Sequence, residues 1–348
     1  MSMRRLILGS IVWVSVPVCA VAQQSFPQVQ LRGVVRVEWK DAQGASVHDG
    51  FDVRMARLGA IVRVRKDISL DFLAELGGGE RGQQAEMLDA FIAWRPEQPA
   101  KLALQLGQMH LPIFYEVRTP TPLLDTPDPS QSAATLYAGV RGRGVQLVYT
   151  PSAHHTLQAG LWSSLTIRDP QLTTRGDRAY LAASLRWRYQ AARYALEVGG
   201  FWGRRPGFQF RDAQGNLVSV DASDRRTFYH EGEVHLSHPF FIRYILLWGR
   251  DRIPTGGTTN PRYLNPTDLN SQVIYAVYRL NKRNQLVARW DSFDPDEATA
   301  GDRRQITGLF YHHYLEPTIR LTLGYEWVKE ERNEVPNNRF YAGVQVRF

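Results

Sequence analysis

Short segments in which apolar and polar residues alternate recur from residue 28 to the end of the chain. Successive side chains of a β-strand point to opposite faces, so this alternation is typical of strands with one apolar and one polar face. The pattern predicts about sixteen strands of roughly ten residues each. Their predicted ranges are 28–40, 51–65, 68–76, 86–95, 101–109, 140–150, 155–163, 179–189, 193–203, 226–236, 240–250, 271–280, 284–292, 304–313, 318–329 and 338–348.

The connections between these segments alternate between short and long. The short ones are 66–67, 96–100, 151–154, 190–192, 237–239, 281–283 and 314–317. The long ones are 41–50, 77–85, 110–139, 164–178, 204–225, 251–270, 293–303 and 330–337. Outer-membrane barrels have short turns on the periplasmic side and longer loops on the outer side. The sequence therefore predicts an all-β fold, a transmembrane antiparallel β-barrel with both chain ends facing the periplasm.

Alternation also assigns the two faces of each predicted strand. In the last strand Phe340, Val344 and Phe348 lie on one face, which we expect to meet lipid, and Gln345 lies on the lumen face. Aromatic residues near strand ends should form girdles at the membrane interfaces: Trp94, Tyr149, Trp187, Trp248 and Tyr325. A soluble two-sheet sandwich is the alternative interpretation of the same faces. It would not need connections of alternating length.

The first 23 residues have the composition of a secretory signal peptide. Arg4 and Arg5 precede an apolar stretch at 6–18, and the small-residue sequence at 20–22 resembles a cleavage site. The stretch is shorter than the roughly 18 residues that a spanning helix needs. We predict a cleaved signal peptide at 1–23.

The rest of the chain, residues 24–348, is predicted to be one barrel domain without cysteine. The only cysteine, Cys19, lies in the predicted signal peptide, so the mature chain should form no disulfide. A lipoprotein anchored through Cys19 is the alternative, but residues 16–18 lack the small side chains that such processing favours. The mature chain has no apolar run long enough for a membrane-spanning helix, which excludes a helical membrane protein.

The chain is basic, with a formal net charge of +8. Removal of Arg4 and Arg5 with the signal peptide would leave about +6. A basic excess can attract nucleic acid, an anionic surface or anionic solutes. Export argues against nucleic acid, and the basic residues are spread through strand-like segments. We therefore expect small anionic solutes as partners.

Four stretches carry a resemblance to a known family. They are 51–59 (FDVRMARLG), 88–92 (LDAFI), 106–112 (LGQMHLP) and 340–348 (FYAGVQVRF). In residues, order and spacing they resemble the phosphate-selective porin O/P family, along most of the mature chain. The resemblance implies a sixteen-stranded porin, usually a homotrimer, for passive diffusion of small solutes. Its surroundings would be the lipid and lipopolysaccharide of a Gram-negative outer membrane.

The resemblance also implies that a long third loop folds into the pore beside basic residues that select anions. The predicted connection 110–139 stands where that loop should be. Its five prolines suit an ordered segment that is not a strand: Pro112, Pro120, Pro122, Pro127 and Pro129. We expect this loop to constrict the pore.

Two departures from the family pattern bear on phosphate. Family members that bind phosphate tend to have paired arginines where this chain has Arg54 and Met55, and a lysine where it has His110. Asp89 is retained. The resemblance therefore supports passage of anions in general, with phosphate or polyphosphate among them, better than strict phosphate selectivity.

Seven residues are predicted to lie at the pore constriction or to bind anions, since ladders of charge are a usual selectivity device in pores. They are Arg54, Arg57, Asp89, Lys101, His110, Arg186 and Arg243. Alternation places Arg57, Arg186 and Arg243 in the lumen.

The other candidates rest on different arguments. Lys101 faces inward on the strand that leads to the third loop, and Asp89 should orient a basic neighbour. Strict alternation turns Arg54 away from the face of Arg57, so its role rests on the resemblance. His110 at the loop base could change its charge near neutral pH. We expect Arg57, Lys101 and His110 nearest the constriction, while a structural salt bridge is the alternative role for each arginine.

Two histidine pairs suggest a metal site at first sight: His154 with His155, and His312 with His313. Neighbours on a strand point to opposite faces, so one strand cannot present both rings to one ion. We expect solvated or interfacial histidines near turns. No metal and no cofactor is predicted.

Two other functions remain open at this point. A hydrolase with its site on the lipid-facing wall could use His230, which falls on the apolar face of its strand, although no motif places a serine beside it. A structural or adhesive barrel would bind a partner through its loops. Porin function, with no reaction catalysed, is the preferred interpretation because the inward face is polar.

Overall fold

The computed structural model describes residues 26–43, 50–77, 85–96, 101–137, 139–166, 180–211, 216–252, 266–332 and 337–348. The predicted signal peptide and the central parts of several long connections lie outside these ranges.

Sixteen antiparallel strands form a closed barrel in which each strand pairs with its neighbours along the chain. They are β1 (Gln28–Ala42), β2 (Gly50–Arg63), β3 (Ile68–Glu75), β4 (Glu86–Trp94), β5 (Leu102–His110), β6 (Arg141–Tyr149), β7 (His155–Thr166), β8 (Leu181–Gln190), β9 (Tyr194–Arg205), β12 (Ser223–Ser237), β13 (Phe240–Asp251), β14 (Thr267–Arg279), β15 (Asn284–Asp294), β16 (Arg304–Glu316), β17 (Ile319–Glu330) and β18 (Arg339–Arg347). Closure occurs where β1 pairs with both β2 and β18. The predicted all-β barrel is confirmed, with every strand near its predicted position.

The predicted connection 204–225 contains two further strands. β10 (Phe208–Arg211) and β11 (Leu217–Val220) pair only with each other, so β9 pairs with β12 across this hairpin. The sequence pattern predicts no strand here, because four-residue strands are too short for alternation to identify.

The two faces of the barrel wall follow the predicted alternation. On β8, Leu181 and Leu185 are 67% and 50% exposed, while Arg186, the residue after Leu185, is 5% exposed. On β18, Val344 and Val346 are exposed, and Gln345 is buried. The outer face is therefore apolar and the inner face polar, the reverse of a soluble protein, as expected for a barrel surrounded by lipid.

Short turns join the strands at one end of the barrel. In the β14–β15 turn, the Asn281 side-chain oxygen accepts a hydrogen bond of 2.8 Å from the backbone N–H of Arg283. Such a bond lets an asparagine replace a backbone turn contact. At the same end, the Trp94 indole donates to Asp67 at 3.1 Å, which fixes an aromatic residue of the predicted girdle.

The long connection between β5 and β6 is folded into short helices. They are α1 (Tyr115–Arg118), a 3-10 helix (Thr121–Leu123) and α2 (Gln131–Leu136). Ser130 begins α2, and its hydroxyl accepts a hydrogen bond from the N–H of Ala133. Within the described ranges, no helix has the length and apolar character to cross a membrane.

Candidate functional site: the lumen and its inner segment

Residues 111–137 and 139–140, which we call the inner segment, lie inside the barrel. Most of its polar contacts are with side chains of the inner face on β9, on β12 to β18, and on β1 and β2, while His110 of β5 and Arg141 of β6 contact it near its two ends. Three backbone carbonyls of the segment, those of Pro122, Leu124 and Pro127, accept hydrogen bonds of 2.7–3.0 Å from Gln345, Arg320 and Arg36. Wall side chains thus satisfy backbone groups that form no helix or sheet bond.

A buried carboxylate links the two halves of the inner segment. Glu116 of α1 accepts a hydrogen bond of 2.8 Å from the N–H of Ser130, and the hydroxyls of Ser130 and Tyr275 also donate to it. A further wall contact is made by Asp291, which accepts from the N–H of Gln131 at 2.9 Å. These bonds hold α2 against β14 and β15.

Apolar packing fixes the other side of the inner segment. Phe114 and Tyr137 are fully buried and meet edge to face with ring centroids 5.8 Å apart. Tyr229 and Phe201 of the wall meet these two rings edge to face at the same separation. Such aromatic pairs contribute about 0.5–1.5 kcal/mol each beyond the area they bury, so they add to the polar anchors.

Asp128 lies at the centre of a basic cluster on β1 and β2. Its carboxylate is 3.0 Å from Arg54, 3.4 Å from Lys40 and 3.5 Å from Arg36. Glu38 contacts the same three cations, at 3.8, 2.9 and 3.2 Å. We call these five residues the Asp128 cluster. Burial alone would raise the pKa of Asp128, but the three cations outweigh it, and the pKa lies well below the usual 3.8.

A β-bulge explains how Arg54 reaches the lumen. Met55 pairs with Arg36 and Val53 pairs with Val37, so Arg54 has no partner in the β1–β2 register. The extra residue resets the alternation and re-aims its side chain. The expectation from strict alternation, that Arg54 faces away from Arg57, is therefore wrong, and Arg54 shares the inner face with it.

Three predicted arginines lie on the inner face, and each forms ion pairs. Arg57 bonds to Glu75 at 2.7 Å, and Arg186 bonds to Glu197 at 2.6 Å. Arg243 bonds to Glu233 and to Asp125 of the inner segment, with its guanidinium 3.6 Å from the Tyr115 ring centroid. Their charges are thus largely compensated within the wall.

Asp89 and His110 lie near the base of the inner segment. Asp89 is bound by Arg141 at 2.7 Å and approached by Arg32 at 3.5 Å, so it has the basic neighbours that we expected. His110 donates from Nδ1 to the carbonyl of Val117 at 2.8 Å. The imidazole therefore links β5 to α1, which fits the structural alternative to a titrating group.

Lys101 lies at the opposite end of the barrel from His110. It precedes β5, is exposed, and donates to the carbonyl of Pro151 in the β6–β7 turn at 2.5 Å. Nine residues of extended strand separate it from His110, roughly 30 Å. The structure thus does not bring Lys101 to the inner segment, contrary to our expectation, because that segment folds back from the other end of β5.

Several residues at this site were missed by sequence reasoning. Arg118 of α1 forms bonds of 2.8 Å to Glu231 and 3.1 Å to Glu197. His312, expected to be solvated or interfacial, is fully buried and donates from Nε2 to the carbonyl of Asp125 at 2.8 Å. None of these three contacts has a local sequence signal, since even Arg118 and Glu197 are 79 positions apart in the sequence.

The remaining paired histidines do not converge on a common point. His154 contacts the carbonyl of Gln190 and His313 contacts the side chain of Asn284. In the described part of the chain, no group of three or more His, Cys, Asp or Glu side chains is arranged to hold a metal ion.

A cavity of about 290 Å³ lies between the inner segment and β8, β9, β12 and β13. Its charged walls consist of three arginines and three glutamates: Arg118, Arg188, Arg243, Glu197, Glu231 and Glu233. Arg188 and Glu197 are register partners two and three positions from the β8–β9 turn. The cavity is therefore on the short-turn side of the inner segment.

Solved structures with the same fold include several outer-membrane proteins. The anion-selective porin from Comamonas acidovorans has a TM-score of 0.66 and 13% identity, with 93% of this chain and 100% of that chain covered. In vitro folded OmpT of Vibrio cholerae, in its trimer form, gives 0.65 and 13%, with 93% and 100% covered. The outer membrane channel DcaP of Acinetobacter baumannii gives 0.66 and 12%, with 92% and 97% covered. At such identities the likeness establishes the fold alone.

The family assignment comes from the sequence. A search of curated proteins found no significant match. The family model for phosphate-selective porin O and P matches residues 30–216, which is more than half of the chain and includes three of the four stretches singled out above. The chain therefore belongs to the phosphate-selective porin O and P family.

Proposed function

We propose that this porin is an anion-preferring channel through which small solutes diffuse passively across a Gram-negative outer membrane. The observation that carries the proposal is the closed barrel with an apolar outer face and a charged inner face. Such a wall suits lipid on one side and water on the other. The family and the fold are those of a channel, and a lipid-facing hydrolase gains no support from His230, whose ring lies against Tyr244 on the outer face.

The inner segment would narrow the lumen from one side. Apart from the contacts of His110 and Arg141 near its two ends, its polar anchors are on β9, β12 to β18, β1 and β2. The passage would then run beside β3 to β8. That wall carries neutral polar side chains on its inner face, among them Gln105, Gln146 and Gln158, which suit solvated ions in transit. Gln105 and Gln146 are bonded to each other at 3.0 Å.

Anion preference is proposed from the excess of basic residues, not from a ladder of free arginines. Most inner-face arginines are paired with carboxylates, which leaves a modest net charge in the lumen. The family description names phosphate, and one similar solved structure is described as anion-selective. Strict phosphate selectivity is not part of the proposal, since Met55 and His110 depart from the family pattern and Lys101 lies far from the inner segment.

The proposal includes the assembly and the route to the membrane. We propose a homotrimer, because one similar solved structure is described as a trimer form. The apolar outer face would be shared between neighbouring subunits, membrane lipid and lipopolysaccharide. Export would use a signal peptide cleaved after about residue 23, on the sequence pattern alone.

Planar-bilayer recordings of refolded residues 24–348 test the channel. We expect discrete conductance steps and, under a KCl gradient, a reversal potential displaced toward that of chloride. Added phosphate should reduce the chloride current if it enters the same passage. Absence of conductance from a barrel whose folding is verified by heat-dependent gel mobility would overturn the porin function and favour an adhesive or enzymatic role. A reversal potential displaced toward that of potassium would overturn the anion preference.

A further inference from the structure

We propose that Arg188, together with the hydroxyl of Thr119, forms a binding site for a small oxyanion in the cavity on the short-turn side of the inner segment. The proposal names a binding residue for the solute class of the proposed function, and its role in transport rests on that function. The cavity walls bring Arg188 of β8 opposite Arg118 and Thr119 of the inner segment.

The acids that line the cavity are already bound by other groups. Glu197 accepts from Arg186 at 2.6 Å and from Tyr229 at 3.1 Å, and it contacts Arg118 at 3.1 Å. Glu231 accepts from Arg118 at 2.8 Å and from the N–H of Tyr115 at 2.5 Å.

The third glutamate is engaged in the same way. Glu233 accepts from the Nε of Arg243 at 3.0 Å and contacts His235 at 2.8 Å. Arg118 and Arg243 donate hydrogen bonds to these glutamates and to Asp125. Neither arginine is therefore free to take a solute without giving up a contact of the wall.

Arg188 differs from the other two arginines of the cavity. Among the described residues, its guanidinium has no hydrogen bond and no ion pair, and its Nε is inaccessible to solvent and without an acceptor. Its register partner Glu197 is turned toward Arg118 and Arg186 instead. A partly buried guanidinium without acceptors is unfavourable, so an acceptor in the cavity would stabilise it.

Thr119 supplies a second donor on the opposite wall. Its backbone N–H closes α1 by bonding to the carbonyl of Tyr115 at 2.9 Å. Its hydroxyl makes no hydrogen bond within the described ranges, and the residue lines the cavity. A solute held between these groups would be bound by the charged guanidinium of Arg188 and by the neutral hydroxyl of Thr119.

The chemistry of Arg188 selects the solute class. The planar guanidinium matches two oxygens of a carboxylate or a phosphate, and such charge-assisted pairs are among the stronger hydrogen bonds. The cavity, about 290 Å³ in volume, has room for an anion of a few heavy atoms with several waters, since each water occupies about 30 Å³ in the liquid.

The charges around Arg188 favour release as well as binding. The three arginines and three glutamates of the walls balance one another, so the anion would be attracted by one local guanidinium and not by a large basic field. Passage requires binding that is favourable enough to admit a solute and weak enough to let it leave. A single free arginine meets both conditions.

The test compares Arg188→Gln with Arg193→Gln. Arg193 lies in the adjoining β8–β9 turn and is exposed, and its side chain forms no hydrogen bond or ion pair among the described residues. Its loss therefore removes the same charge from the same end of the barrel. Calorimetric titration of the refolded barrel in detergent with phosphate, and separately with succinate, measures binding without any need for conduction. Arg188→Gln should weaken binding at least about tenfold, while Arg193→Gln should leave it within about twofold.

Arg188→Lys serves as a second variant. It keeps the positive charge but loses the planar guanidinium that can bond two oxygens of one anion. The affinity of this variant for phosphate or succinate should therefore fall between those of the wild type and Arg188→Gln. Folding should be retained in both, because in the described part of the chain no carboxylate depends on Arg188 for its partner. Heat-dependent gel mobility verifies this.

The possible outcomes separate this proposal from the proposed function. Equal binding in the wild type and in Arg188→Gln, an equal loss in Arg193→Gln, or no binding of either anion by the wild type would overturn the site. Binding that depends on Arg188 in a chain that passes no current would support the site and overturn the porin function. Conduction by a chain in which no anion binding depends on Arg188 would support the porin function and overturn the site.

Discussion

Replacement of Asp128 by asparagine should make the channel more anion-selective and loosen the inner segment. The Asp128 cluster holds three cations and two carboxylates, so its net charge would rise from +1 to +2. Charges about 4 Å apart near a protein surface attract by about 4 kcal/mol at an effective dielectric constant of about 20. Desolvation offsets part of this, which leaves a net weakening of the attachment by about 2–4 kcal/mol.

Reversal potentials at two ionic strengths provide the assay. The Debye length is about 10 Å at 0.1 M salt and about 3 Å at 1 M. Asp128→Asn should therefore displace the reversal potential toward that of chloride near 0.1 M, and the displacement should shrink near 1 M. Asp224→Asn is the matched control, because it removes an exposed carboxylate whose ion pair within the described ranges is with Arg204. An unchanged or less anion-selective Asp128→Asn channel at low salt would refute the reasoning.

The pH dependence of this difference has a defined sign. The folded pKa of Asp128 lies well below 3.8, so the carboxylate stays charged above its unfolded pKa, and its stabilisation is lost only as pH falls through the folded value. The difference between wild type and Asp128→Asn should therefore persist from pH 7 to about pH 4 and vanish only in stronger acid. A difference that disappears near pH 5 would contradict the assigned charge state.

Two further substitutions test the packing of the barrel. Glu231→Gln leaves Arg118 with Glu197 as its ion-pair partner and should destabilise the folded barrel by about 3 kcal/mol. The folded band on gels should then disappear at a lower temperature. An unchanged melting temperature would show that the pair of Arg118 and Glu231 does not anchor the inner segment. Gly107→Ala should abolish refolding, because φ is +135° and the new Cβ would lie 2.2 Å from the carbonyl oxygen of Ala90. Gly343→Ala, whose nearest atom would be 3.2 Å away, should refold, and equal yields of the two would contradict this account.

The barrel could be predicted from the sequence because each strand and each turn is marked by residues that are neighbours in the chain. Alternation with period two assigns each strand and its faces, and turn lengths give the topology. Val344, Gln345 and Arg186 all lie on the faces that alternation assigned. The exception is Arg54, where one extra residue in β2 resets the alternation. No residue type in β2 indicates the bulge, so strict alternation assigns the wrong face to Arg54.

The contacts of the lumen could not be predicted in the same way. Prolines show that residues 111–140 do not form a strand, but not which wall each residue meets. Asp128 contacts Arg54, and Arg118 contacts Glu231, across separations of 74 and 113 residues. Alternation places Arg186 and Arg188 on the same face, yet only the fold shows that Arg186 is paired and that Arg188 faces a cavity.

Cysteine accessibility tests most directly whether a water-filled passage runs beside β3 to β8. Residues 24–348 contain no cysteine, so Gln105→Cys and Leu106→Cys each introduce one thiol, on the inner and outer face of β5. The account predicts that a negatively charged, membrane-impermeant thiol reagent reduces the current through Gln105→Cys and leaves that through Leu106→Cys unchanged. Unaltered current through Gln105→Cys whose labelling is verified by mass, or equal reduction in both variants, would contradict it.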